Sequence, residues 1–206
     1  MKRSRGSWEI LAVVLTGIGR FLFMVWLDWK VFYIIAAILG WSIYIFSRVK
    51  NTSGLWEKWG FSNKNFASTF YTCLGFASVS MLVMAAMGYS RGFLSFSWDM
   101  IPLFLLYPIW GFIQQFLMQA LVSGNLETMG WSKWAIIPFT GLLFGMVHLP
   151  FPVLSAATLL MGMAFTWIYL KWKNLWPLGL FHGWLGVILY FWVLGRNPWT
   201  EVFNMM

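Results

Sequence analysis

The two histidines of this chain, His148 and His182, both fall inside strongly apolar runs, LLFGMVHLP and LWPLGLFHGWLGV. Three glutamines, Gln114, Gln115 and Gln119, stand together in a third run, IWGFIQQFLMQAL. An ionisable or amide side chain is costly in hydrocarbon, so it faces the bundle interior and finds a partner there. Taken singly, each such residue is often only glue between helices, worth about 1 kcal/mol. Taken together they point to one shared polar pocket. An imidazole titrates near neutral pH and can carry a proton, and a carboxamide can orient a water without taking its proton.

Other chemistries fit this residue set poorly. Catalytic zinc takes three protein ligands from His, Cys and carboxylates. Two His and three Gln are a poor set and HExxH is missing, so neither a metal nor another cofactor is expected. Cys73, the single cysteine, can form no intrachain disulfide. Asp28 and Asp99, the only aspartates, fall at run boundaries, which excludes an aspartyl dyad. Ser123 lies four residues beyond Gln119, but no GxSxG elbow surrounds it. Glu127, in SGNLETMG, reads as a solvated loop charge.

The elements that position these groups follow from composition. The chain has 206 residues, of which 60% are hydrophobic and 10% charged, and its mean hydropathy is +0.72. A soluble domain carries about 25% charged residues. An aromatic share of 21% excludes disorder. The expected fold class is therefore all-α, a polytopic transmembrane helical bundle of about seven spans forming one integral membrane domain over 1–206. The spans are expected at 8–27, 31–47, 67–89, 100–122, 135–149, 152–170 and 175–195, with Pro138 near the first turn of the fifth. The start, Met1-Lys2-Arg3-Ser4-Arg5, resembles a signal peptide. The run it opens ends in Trp26-Leu27-Asp28-Trp29 with no small-x-small cleavage site, so it reads as a retained helix. That first span is imperfect, with Glu9 near its start and Arg20 in its body.

Cations set the orientation. With the N-terminus inside, the inner segments hold Lys2, Arg3, Arg5, Arg48, Lys50, Lys58, Lys64, Lys133, Lys171 and Lys173, while the outer ones hold only Lys30, Arg91 and Arg196. The expectation is N-terminus cytoplasmic and C-terminus outside, in a bacterial or archaeal cell membrane. This also explains the net charge of +8 without nucleic acid. Tryptophans cluster near span ends, as headgroup anchors do. Trp56 and Trp59 would lay the polar connection KNTSGLWEKWGFSNKN along the inner surface. No internal repeat favours a transporter.

Depth ties the polar groups together. At 1.5 Å per residue, Gln115, His182 and His148 lie roughly 12, 10 and 15 Å from the inner ends of their spans. Gly141 and Gly145 share a face with His148, and Gly179, Gly183 and Gly186 repeat the pattern around His182, so these helices can approach closely.

Gln114-Gln115-x-x-x-Gln119, Phe144-x-x-x-His148 and His182-x-x-x-Gly186, in this order, resemble the CPBP family of intramembrane endopeptidases, also called the CAAX-processing or Abi family. That family shows EExxxR, FxxxH and HxxxN on successive helices. NLWPLGLFHGW also looks like its last motif, and the likeness covers about 100–195, a CPBP-like core. The resemblance implies an intramembrane endopeptidase homologue that processes a membrane-embedded or lipid-anchored peptide or protein in the lipid bilayer. It makes Gln114, Gln115, His148 and His182 the catalytic candidates and Gln119, Phe144 and Gly186 the substrate-binding ones. Gln114 stands where the family's water-activating Glu would be, Gln119 replaces the Arg, and Gly186 replaces the oxyanion Asn. Two readings stay open: a variant peptidase with His148 as base, or a non-catalytic pseudoprotease serving as a membrane binding or maturation module.

Overall fold

A computed structural model describes residues 2–203, with side chains from Arg5 to Glu201. The side chains of Lys2 and Arg3, counted above for orientation, lie outside the described ones. Helices are α1 (Arg5–Trp26), α2 (Lys30–Lys50), α3 (Leu55–Lys58), α4 (Phe66–Arg91), α5 (Met100–Thr128), α6 (Lys133–Met146), α7 (Pro152–Trp172), α8 (Trp176–Val193) and α9 (Pro198–Phe203). No strand occurs among the described residues. Six of these, α1, α2, α4, α5, α7 and α8, are long and apolar enough to cross a membrane. The shorter apolar α6 stands where the fifth span was expected. The all-α bundle is as the composition demands, and the chain is an integral membrane protein.

Local sequence explains the breaks. Pro152 and Pro177 sit in the first turns of α7 and α8, where a missing N–H is harmless. Pro138 differs from expectation. Helix α6 begins at Lys133, so the proline falls inside it, past the first turn. Gly92, with φ 73°, caps α4 in the left-handed conformation that glycine tolerates best, and its N–H reaches Gly88 O and Tyr89 O.

Helix α8 is the centre of the bundle, with 67% of its most apolar stretch buried, whereas the corresponding stretch of α2 is 0% buried. Small residues bring α5 against α8. A Cβ on Gly183 would lie 2.5 Å from Pro108 N, and one on Gly111 would lie 2.5 Å from Gly179 O. Gly141 and Gly145 do the same for α6 against α7, where a Cβ would come within 3.0 Å of Leu159 O and Ser155 O respectively. Gly186 is looser, its nearest neighbour being the Tyr107 ring at 3.6 Å.

The polar connection between α2 and α4 is tied to the turn between α7 and α8. Asn174 Nδ2 donates to Ser62 O and Lys64 O at 2.7 and 2.8 Å, and Leu175 N donates to Gly60 O at 2.9 Å. Tyr169 Oη donates to Trp59 O at 3.2 Å. Trp59 is buried and packs edge-on against Phe116, while Trp56 stacks on Phe61. Phe61 also stacks on Phe116, so these rings pack together at one end of the bundle.

Gly183→Val is expected to destabilise the protein by about 1–3 kcal/mol, because the new methyls meet the backbone at Pro108. Gly40→Ala, where nothing lies within 4 Å, is expected to leave the melting temperature in detergent unchanged or slightly raised.

Candidate functional site

Three helices converge on a buried polar chain. Helix α5 carries Gln115, Gln119 and Ser123 four residues apart, through a π-helical stretch at Phe116–Ser123, and all three are fully buried. Gln115 Nε2 donates to His182 Nδ1 on α8 at 3.0 Å. Gln119 Nε2 donates to Gln115 Oε1 at 3.1 Å, and Ser123 Oγ donates to Gln119 Oε1 at 3.2 Å. Ser123 Oγ also lies 3.1 Å from Thr140 Oγ1 on α6. Each donor points toward His182. Its Nδ1 is held as an acceptor, which puts the proton on Nε2.

His148 has the opposite tautomer. Its Nδ1 lies 2.7 Å from Phe144 O. A carbonyl only accepts, so Nδ1 carries the proton and Nε2 keeps its lone pair. The Phe144 ring stands edge-on to both imidazoles, with centroids 5.0 Å from His148 and 5.5 Å from His182. Thr140, Phe144 and His148 thus form a stripe four residues apart, opposite the stripe on α5.

His148 does not lie within a helix, as the span at 135–149 implied. Helix α6 has 14 residues and is about 21 Å long, short of the roughly 30 Å hydrocarbon core. Its last carbonyls open into the apolar layer, and each from Leu143 to Leu149 has a donor. Val147 N, His148 N, Leu149 N and Phe151 N serve Leu143, Gly145, Met146 and His148. The His148 ring serves Phe144. Arg20 Nη1, from α1, donates to Val147 O at 2.5 Å and to Leu149 O at 3.2 Å. The guanidinium therefore grips the backbone on both sides of His148.

The other candidates divide. Gln114 is half-buried and makes no side-chain hydrogen bond among the described residues, so Gln115, not its neighbour, joins the imidazole. Gly186 is one turn past His182. Glu127 is half-exposed and ion-paired with Lys173, away from the polar chain. Cys73 is buried and free. Sequence reasoning missed Thr140 and the part played by Arg20. The signal for Arg20 was its lone positive charge in the body of an apolar span.

An all-helical membrane bundle with an amide–imidazole centre at the meeting of three helices is the class these observations define. Residues 96–188 match the family model described as type II CAAX prenyl endopeptidase Rce1-like. The likeness to the CAAX-processing family is borne out over that segment, which supports a protease-type function. Comparison with curated proteins and with solved structures gave no match.

Arg20→Ala leaves two carbonyls beside His148 without donors. It is expected to cost about 1–3 kcal/mol of stability, since hydrogen bonds from charged donors lie at the upper end of the usual range. Hydrogen exchange in nanodiscs is expected to rise first at the amides of residues 147–151, with Arg20→Lys intermediate.

Proposed function

We propose that the chain is an intramembrane endopeptidase of the CAAX-processing type that cleaves a membrane-embedded or lipid-anchored peptide, with His148 as general base and His182 as oxyanion donor. In this reading 1–206 is a single membrane domain of a bacterial or archaeal cell membrane, N-terminus inside and C-terminus outside. The observation that carries the proposal is the complementary protonation of the two rings: His148 offers an Nε2 lone pair and His182 an Nε2–H. A water hydrogen-bonded to His148 Nε2 attacks the scissile carbonyl and gives that nitrogen its proton. The carbonyl oxygen, now negative, accepts from His182 Nε2–H. As the C–N bond breaks, the imidazolium returns the proton to the leaving amine.

Gln115 acts through His182 as a positioning residue, since its amide holds the tautomer. Gln114, with its side chain unbonded among the described residues, is available to orient the water or the substrate backbone. Phe144 stands edge-on to both rings, Gln119 continues the row that holds Gln115, and Gly186, one turn past His182, lies against the Tyr107 ring.

The alternative is a pseudoprotease that binds such a peptide without cutting it. One observation favours it: among the described residues no carboxylate bonds either histidine.

Both readings are separated by cleavage of a membrane-anchored peptide reporter in liposomes. Under the proposal wild type cleaves, His148→Ala loses about 10²–10⁴-fold, and Gln114→Glu is slower than wild type. Cleavage that survives His148→Ala would sink the catalytic assignment. Binding of the reporter with no cleavage by any variant supports the pseudoprotease. Cleavage raised by Gln114→Glu would mean that the native centre lacks its base.

A further inference from the structure

Two cavities meet at the inner end of the α1–α2 hairpin, and neither touches the histidines. One is a cleft of about 1330 Å³ whose cations are Arg5, Arg48, Lys58, Lys64, Lys171 and Lys173, against the acids Glu9, Glu57 and Glu127. The other is a groove of about 1040 Å³ between α1 and α2, floored by Ala12, Gly19, Ala36, Ala37 and Gly40. They share Arg5, Glu9, Arg48 and Thr52. A basic chamber thus opens directly into an apolar slot.

The cations of the cleft outnumber its acids, six to three. Glu9 already accepts from Tyr44 and from Asn125, and lies 3.6 Å from Arg48. Glu127 is taken by Lys173. Arg5, Lys58 and Lys64 form no ion pair among the described residues, and Lys171 lies over the Trp167 and Trp172 rings. Between Thr16 and Tyr33 the groove's polar groups are already paired, since Thr16 bonds Ala12 O and Trp41, and Tyr33 bonds Thr16 O. A peptide backbone would lie there unsatisfied, whereas a hydrocarbon chain needs no partner. From Glu9 to Phe23 the groove runs about 21 Å along α1, longer than the roughly 15 Å of one leaflet's hydrocarbon. A second copy of this chain, itself carrying +8, would bring like charge to the mouth.

We propose that the α1–α2 hairpin binds one anionic phospholipid of the inner leaflet, its headgroup phosphate at Arg5 and Arg48 and one acyl chain in the groove. The site does not rest on the peptidase reading. It would hold equally for a non-cutting relative.

The test is native mass spectrometry of the full chain, stripped of lipid in detergent and then offered phosphatidylglycerol or phosphatidylcholine with identical acyl chains. Wild type is expected to retain one phosphatidylglycerol per chain, at least about fivefold more tightly than phosphatidylcholine. Arg5→Gln is expected to weaken phosphatidylglycerol about fivefold and leave phosphatidylcholine unchanged. Gly40→Phe fills open space, so it is expected to abolish retention while the melting temperature in lipid-free detergent stays that of wild type. Equal retention of both lipids would overturn the headgroup site. Undiminished phosphatidylglycerol on Gly40→Phe would overturn the groove. A wild-type dimer that Gly40→Phe breaks, with no lipid retained by either, would assign the groove to a second copy instead.

Discussion

A helix that stops inside a membrane must dispose of its last carbonyls without water. Helix α6 meets that constraint at its C-terminal end, and much of the centre follows from the solution. An unpaired carbonyl in hydrocarbon costs several kcal/mol. The chain answers with one imidazole from the turn itself and one guanidinium from α1. The first answer locks the tautomer of His148. The second makes the first helix, which lies outside the segment matched at 96–188, a structural part of the turn that holds the histidine. Arg20 in hydrocarbon is in turn tolerable only because two carbonyls receive it.

The second histidine is fixed by the same economy applied along α5. Each amide has a donor end and an acceptor end, so a row of amides in contact can be satisfied only if all point one way. Ser123, Gln119 and Gln115 form such a row, and His182 accepts at its end. Reversing one amide would set two donors or two acceptors face to face in a fully buried place. The ring at the end therefore takes its tautomer from the orientation of the two amides. The Phe144 ring then keeps the two imidazoles apart while touching both.

Apolar length made the bundle legible in the sequence, because a spanning helix is mostly decided by its own residues. The helices fall within a few residues of the expected spans. The polar residues that converge were also legible as a set, and the i, i+4 spacing of Gln115, Gln119 and Ser123 carried their common face. What was not legible depends on contacts between distant segments. Which of Gln114 and Gln115 turns inward is decided by the rotation of α5 against α8, set by the Gly111 and Gly183 approach. That α6 ends before His148 depends on donors supplied from α1. The course of the loop after α2 depends on Asn174, more than a hundred residues later.

The departure from the family's first motif also becomes coherent in this setting. The EExxxR pattern of the CAAX-processing family combines acid and base, and all three charged positions here are amides. Removing only the acids would leave a guanidinium unpaired inside the bundle, and removing only the arginine would strand a carboxylate. Either loss costs about 3–5 kcal/mol in a buried pair. Amides at the two fully buried positions, Gln115 and Gln119, keep the interior neutral and make a continuous hydrogen-bonded row. That row still ends on the imidazole of His182. With no carboxylate bonded to either histidine among the described residues, the buried row on α5 and the turn after α6 meet at two imidazoles held in opposite tautomers.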